Sequence, residues 1–301
     1  MGTNDLTSRA GLANGGETSR HPMAGVDSFS PAEIALLVQT RGVAKAGASF
    51  VTTFVLGVVA GAFISLGALF STVVGTRSTL GEGPTRLLAG AAFSLGLILV
   101  VVAGAELFTG NNLIVMSWVS RKITLSRLLR NWAIVYVGNA AGALSVVGLV
   151  YLSDWWTLAG HSMGATALSI AAAKAGLSFT AAFVRGILAN ALVCLAVWLA
   201  TAGRSLTDKV LAIMFPISAF VAAGFEHSIA NLYFIPMGLL LSNQPAVVEV
   251  AQLPSDRLAG LDAAGLLTNI TAATLGNVVG GGVLVGLVYW FVYLRPLSET
   301  S

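Results

Sequence analysis

Few residues in this chain can do chemistry, and those few are clustered. His227 is one of three histidines and lies inside a long apolar stretch, in Glu226-His-Ser-Ile-Ala-Asn231, whereas His21 and His161 fall in polar stretches. An imidazole has an ordinary pKa of about 6.5, so it can donate a hydrogen bond to a small carboxylate or hand it a proton. An ionisable group within an apolar run is costly to keep there and marks a functional position. A second polar insert, Glu106-Leu-Phe-Thr-Gly-Asn-Asn112, interrupts another apolar stretch and brings the Thr109 hydroxyl with it. Glu106 and Glu226 fit two roles: facing a cavity, or anchoring the inserts by accepting hydrogen bonds from their backbone. Cys194 is the single cysteine and sits in the apolar run 186–202, so no disulfide framework forms. With no second intramembrane histidine or cysteine at ligand spacing, neither a metal site nor a convergent catalytic set is expected, and nothing calls for a cofactor. An enzyme is therefore the weakest class.

The elements that must position these residues follow from composition. Of 301 residues, 56% are hydrophobic and 10% charged, and the mean hydropathy is +0.84. A soluble chain carries about 25% charged residues, so this one lacks the polar surface to cover a globule in water. The reading is a polytopic membrane protein, and its 34 glycines suit closely packed membrane helices. A spanning helix needs about 20 apolar residues. Four stretches qualify without interruption: 48–75, 128–152, 178–202 and 269–294. Two more, 86–119 and 209–242, are too long for one crossing and hold the polar inserts, so each reads as a broken helix. Ahead of them, Ser30-Pro31-Ala32-Glu33 gives a cap, a proline at the first helical position and an acid in the first turn, predicting an amphipathic surface helix over 31–46. Residues 1–28 have no apolar core of a signal peptide and read as a disordered tail.

The chain also repeats itself. Gly104-Ala-Glu106 to Asn111 and Gly224-Phe-Glu226 to Asn231 share G-x-E-x-x-x-x-N, each in the second span of its half, and Gly138-Asn139-Ala-Ala-Gly142 in the third span corresponds to Gly276-Asn277-Val-Val-Gly280 in the sixth. Three spans per repeat is an odd number, so the second repeat must enter the membrane inverted. The organisation expected is a tail (1–28), an amphipathic helix (29–47), a first inverted repeat (48–153), a second (154–296) and a short tail (297–301). Backbone that leaves the helix at membrane depth must line a cavity or be buried in protein, so the two breaks mark a pathway and face each other near the midplane. Six crossings put both termini on one side. Arg41, Lys45, Arg121, Lys122, Arg127, Arg130, Arg204, Lys209 and Arg295 flank that side; Arg77, Arg86, Lys174, Arg185 and Arg257 flank the other. Nine against five places both termini in the cytoplasm. The net charge of +3 is thus a topology signal rather than a nucleic-acid footprint.

With these residues laid out, Gly224-Phe-Glu-His-Ser-Ile-Ala-Asn-Leu-Tyr-Phe-Ile-Pro-Met-Gly238 resembles a signature of the formate/nitrite transporter family, and 104–112 resembles its other signature. Similarity continues through 93–99, 186–198, 203–209 and the last span, so it covers about 30–296, and within the family it is nearest the formate channel branch. The resemblance implies an aquaporin-like all-α fold and a homopentamer with one pore per protomer in a bacterial cytoplasmic membrane. It implies passage of formate or similar small monovalent anions, with proton exchange at a central histidine. Residue by residue, it makes His227 that pore histidine, Thr109 the threonine opposite it and Lys174 the anion-attracting lysine. Phe93 and Phe220 become the periplasmic constriction, Leu97 and Val193 the cytoplasmic one, and Asn190 and Asn231 polar residues of the pore region. On their own, Phe93 and Phe220 would read as packing. Two departures stand out: Arg185 takes a position that is apolar in some formate channels, and Ala-Gly-Leu follows Lys174 where histidine-containing sequence is usual.

Other classes share parts of this pattern. A neutral-solute channel of aquaporin type has the same inverted repeat, but no Asn-Pro dipeptide occurs in the chain. Among anions, the sequence leaves formate, nitrite, hydrosulfide, lactate and acetate open, since one methyl group in an apolar slot is worth only about 1–3 kcal/mol.

Overall fold

The computed structural model describes residues 27–295, and every regular element among them is a helix. The expected tail over 1–28 lies, but for its last two residues, outside the described residues, as does 297–301. Helix α1 (Pro31–Gly47) starts as its sequence predicts. Ser30 Oγ accepts from the Glu33 N–H while the Glu33 carboxylate accepts from the Ser30 N–H at 2.8 Å, a capping box that satisfies two helix-end donors. These Ser30 hydrogen bonds hold the Glu33 carboxyl below its ordinary value. Their help to the helix is therefore complete above the usual glutamate range and fades as pH falls through the lowered value. The apolar face of α1, including Ile34 and Val38, packs on Leu113, Met116, Trp198 and Leu294. The helix thus lies against the terminal-side ends of the bundle.

The crossings follow. Helices α2 (Phe50–Gly75), α3 (Glu82–Ala103), α4 (Phe108–Asn111), α5 (Val115–Val119) and α6 (Leu125–Leu152) form the first half, with a 3₁₀ turn at Asn112–Ile114 between α4 and α5. In the second half α7 (Ser162–Ala175) precedes α8 (Phe179–Ala202), α9 (Leu206–Ala222) and α10 (Ser228–Leu241). Short helices α11 (Pro245–Ala251) and α12 (Ser255–Ala259) lead to α13 (Ala263–Asn277). Beyond Asn277 the last helix continues in wide π-helical turns over Val278–Leu287 and Trp290–Leu294. Five helices are by length and composition able to cross a membrane alone: α2, α3, α6, α8 and α13 with its continuation. Helix α10 turns by 110° into α11, so α11 does not prolong it. The sixth crossing is α9 and α10 in succession, two segments of 17 and 14 residues, neither long enough by itself.

Close approach of the helices depends on glycine. A Cβ on Gly142 of α6 would collide with the Val58 carbonyl of α2, and one on Gly280 would collide with the Ile187 carbonyl of α8. The two pairs occupy matching places in the two halves. Such contacts let backbones pack at short range where no hydrophobic force drives helices together in lipid.

Candidate functional site

The two halves meet at their broken helices. Helix α3 is capped by Gly104 (φ 84°), and the turn that follows α9 runs through Gly224 (φ 71°), both in the left-handed region that a residue with a Cβ rarely adopts. Three residues later the chain re-enters a helix from Leu107 (φ −106°, ψ 126°) in one half and His227 (φ −111°, ψ 111°) in the other. The glycine of each repeated motif therefore turns the chain out of one helix, and the third residue beyond it caps the next.

The acid and the asparagine of the motif hold the break in place. Asn231 Nδ2 donates to Glu226 Oε2 at 2.6 Å and to Asn269 Oδ1 at 2.7 Å; Asn111 Nδ2 donates to Glu106 Oε2 at 2.6 Å and to Asn131 Oδ1 at 3.0 Å. Lys174 Nζ sits 3.0 Å from Glu226 Oε1, and Lys45 Nζ sits 3.2 Å from Glu106 Oε1. Asn277 Oδ1 accepts from the Ser228 N–H and its Nδ2 donates to the Gly186 and Glu226 carbonyls; Asn139 does the same for Phe108, Gly57 and Glu106. Backbone freed by the break is thus satisfied by buried amide side chains, which membrane depth demands. Of the two roles open to the acids, the anchoring one fits these bonds. Lys45 on α1 and Lys174 on α7 make equivalent contacts, so the internal symmetry extends one helix beyond the three crossings of each half.

The sequence left most of these partners unassigned. Lys45 appeared only as a basic residue near a helix end, and Asn131 and Asn269 carried no signal. Asn139 and Asn277 stood in the duplicated Gly-Asn-x-x-Gly, and that duplication was the sign that could have found them.

Superimposed on this symmetric frame is a set of residues that one half lacks. His227 Nδ1 accepts from the Ala230 N–H at 3.1 Å, which fills its lone pair. In the neutral ring the proton therefore sits on Nε2, and it points at Thr109 Oγ1, 3.0 Å away on the opposite break. Any second proton must go to Nδ1 and displace the Ala230 bond. Asn190 Nδ2 lies 3.2 Å from the Thr109 carbonyl, 2.7 Å from Asn112 Oδ1 and 2.7 Å from the Asn277 carbonyl, and the Cys194 thiol also faces the Thr109 carbonyl. Asn190 thus ties the Thr109 break to α13 rather than facing open space. The positions related by the repeat to His227, Thr109 and Asn190 are Leu107, Ile229 and Gly61.

Two cavities approach this pair from opposite ends. The one on the terminal side, about 380 Å³, is bordered by Arg41, Lys45, Leu97, Glu106, Asn111 and Lys209. The other, about 470 Å³, is bordered by Phe93, Lys174, Arg185, Phe220, His227 and Asn231, among others. Phe93 and Leu97 lie one turn apart on α3 and belong to different cavities. Between the cavities the path is closed by packed side chains: Phe93 meets Phe220 edge-on at 5.5 Å, Phe220 stacks on the His227 ring at 6.0 Å, and Leu97 and Val193 are buried. His227 is 2% and Thr109 0% exposed. A hydrogen-bonding imidazole in an apolar constriction between two cation-bordered vestibules can present one donor to one small solute at a time.

A helical membrane fold with two inverted repeats, each broken in its second crossing, and a histidine–threonine pair where the breaks meet defines a channel or transporter for small solutes. Comparison with known proteins makes the class specific: a sequence profile described as "Formate/nitrite transporter" matches residues 32–291. The chain is 42% identical over 273 residues to "Formate channel FocA" of Escherichia coli K12, which spans 89% of this chain and 96% of that protein. It is 37% identical over 283 residues to "Probable formate transporter" of Methanothermobacter thermautotrophicus, covering 88% and 97%. Among solved structures, "Pentameric formate channel with formate bound" superposes with a TM-score of 0.74 at 38% identity, over 82% of this chain and 98% of that one. The chain belongs to the formate/nitrite transporter family.

Proposed function

We propose that this chain forms a homopentamer in a bacterial cytoplasmic membrane, with both termini cytoplasmic and one pore per protomer, and that each pore carries formate and related small monovalent anions. Family membership supports the class, and the names of its relatives support formate as substrate. The observation that carries the mechanism is the His227–Thr109 pair, with Nε2–H pointing at Oγ1, set beside the packed rings of Phe93 and Phe220 between two cavities. A bare anion crossing that constriction loses its hydration, a cost its conjugate acid largely escapes. His227 lowers the cost by giving the carboxylate a hydrogen bond in place of the one to Thr109; when Nδ1 takes a proton from the water of a vestibule and releases the Ala230 N–H, the imidazolium can pass its Nε2 proton to the carboxylate and return to the neutral ring, which lowers the cost further. On this reading the anion passes Lys174, Phe93 and Phe220, meets His227 and Thr109, and leaves past Leu97 and Val193. Asn190 and Asn231 support this path by holding the breaks, as do Glu106 and Glu226.

The test is flux of labelled formate and nitrite into proteoliposomes, side by side, with and without a pH gradient. Formate uptake that rises when the external side is acidified supports the reading; no uptake of either anion overturns it.

A further inference from the structure

Three cations border the cavity on the side away from the termini, and they are not alike. Lys174 Nζ is 3.0 Å from the Glu226 carboxylate, which is buried to 2% exposure, so this cation has an ion-pair partner within the protein. Arg86 pairs with Glu82 at 2.8 Å and turns one nitrogen to the Ala222 carbonyl. Arg185 makes no ion pair among the described residues. One of its nitrogens is 3.5 Å from the Gly224 carbonyl at the end of α9, and its side chain is otherwise exposed to the cavity.

The frame of the protein does not need this side chain. Beside the long side-chain contact to the Gly224 carbonyl, residue 185 holds the break through its backbone carbonyl, which accepts from the Glu226 N–H at 3.3 Å. In the other half the Leu56 carbonyl does the same for the Glu106 N–H at 3.2 Å, and there the side chain is apolar. A scaffold that works with leucine at one of two equivalent places leaves the guanidinium of the other to be explained by something else. Arginine offers several N–H donors in a rigid planar fork that matches a carboxylate, and a charge at the mouth of a low-dielectric cleft concentrates anions there.

We propose that Arg185 is a docking point for the monovalent carboxylate at this mouth, a cation without the carboxylate partner that Lys174 has in Glu226. This rests on the proposed passage of small anions. The anion exchanges water for the Arg185 fork and then moves inward along the Lys174–Glu226 pair toward His227.

The experiment compares the parent with Arg185→Leu, the residue the other half carries, and with Arg185→Lys. Each is reconstituted in vesicles, and initial formate and nitrite uptake is measured with the anion supplied on the Arg185 side. At low ionic strength the half-saturating formate concentration for Arg185→Leu should rise roughly three- to tenfold. The gap should close as salt is raised to about 0.5 M. Arg185→Lys should fall between the two, keeping the charge but not the fork. Parent-like half-saturation for Arg185→Leu at low salt overturns the docking role while leaving formate passage intact. A shift that persists unchanged at high salt also overturns it, because it would reflect altered shape. A parent that carries neither anion overturns the proposed function and this role together.

Discussion

At the scale of single residues, the geometry of His227 separates two properties that the sequence left joined. Its Nδ1 caps α10, and its Nε2–H points at Thr109 Oγ1 and is the donor proposed for the passing anion. Asparagine is among the best residues at a helix N-cap, so His227→Asn should keep α10 capped and the pore polar while removing proton exchange. If formate crosses partly as its neutral acid, uptake by the parent should rise as external pH falls, and the variant should lose that slope; a variant with the parent's rate and pH profile would make His227 only a cap. Thr109→Val should lower flux roughly two- to tenfold, the range for one hydrogen bond, whereas Thr109→Ser should stay near the parent in the same vesicle assay. Both residues were legible in the sequence because a polar insert in an apolar run has few explanations. The tautomer was not, since it depends on where the Ala230 N–H falls after the chain has turned.

At the scale of elements, each broken helix stands on one carboxylate. Removing Lys174 alone leaves Glu226 buried and unpaired, and breaking such a pair costs about 3–5 kcal/mol, less here because the lysine side chain keeps 17% of its exposure. Lys174→Met should therefore lower the melting temperature clearly, and Lys174→Met with Glu226→Gln should recover part of the loss in a double-mutant cycle. Additive losses would show that the two do not act as a pair. Gly280→Val should be worse than either, since its side chain meets the Ile187 backbone, which has nowhere to go; normal yield and melting temperature would contradict that packing. The crossings and both breaks could be read from apolar length and the duplicated motif. Helix α7 could not: its small residues, Ala165 to Ala173, carry a weak periodic signal, and its likeness to α1 lies in one lysine-to-carboxylate contact that only the folded chain reveals. The π-helical turns after Asn277 likewise leave no mark in a run that is apolar and glycine-rich on every face.

At the scale of the whole molecule, large apolar side chains such as Leu149, Phe215 and Leu267 point away from the bundle, where hydrocarbon or a neighbouring protomer can cover them. Native mass spectrometry in mild detergent should show five copies; a stable monomer or dimer would count against the pentamer. The symmetry of the holding bonds has a consequence for rectification. His227 and Thr109 occupy only one of two equivalent pairs of positions, and Leu107 and Ile229 occupy the other. The duplicated bonds from Glu, Asn and Lys do not involve these four side chains. Exchanging them, with Leu107→His and Ile229→Thr alongside His227→Leu and Thr109→Ile, would transplant the donor to the opposite break and hand its cap the Gly110 N–H in place of that of Ala230. With the same pH gradient imposed first inward and then outward, the ratio of the two initial formate rates in the exchanged channel should then invert relative to the parent, and an unchanged ratio would locate the source of directionality in the vestibules instead.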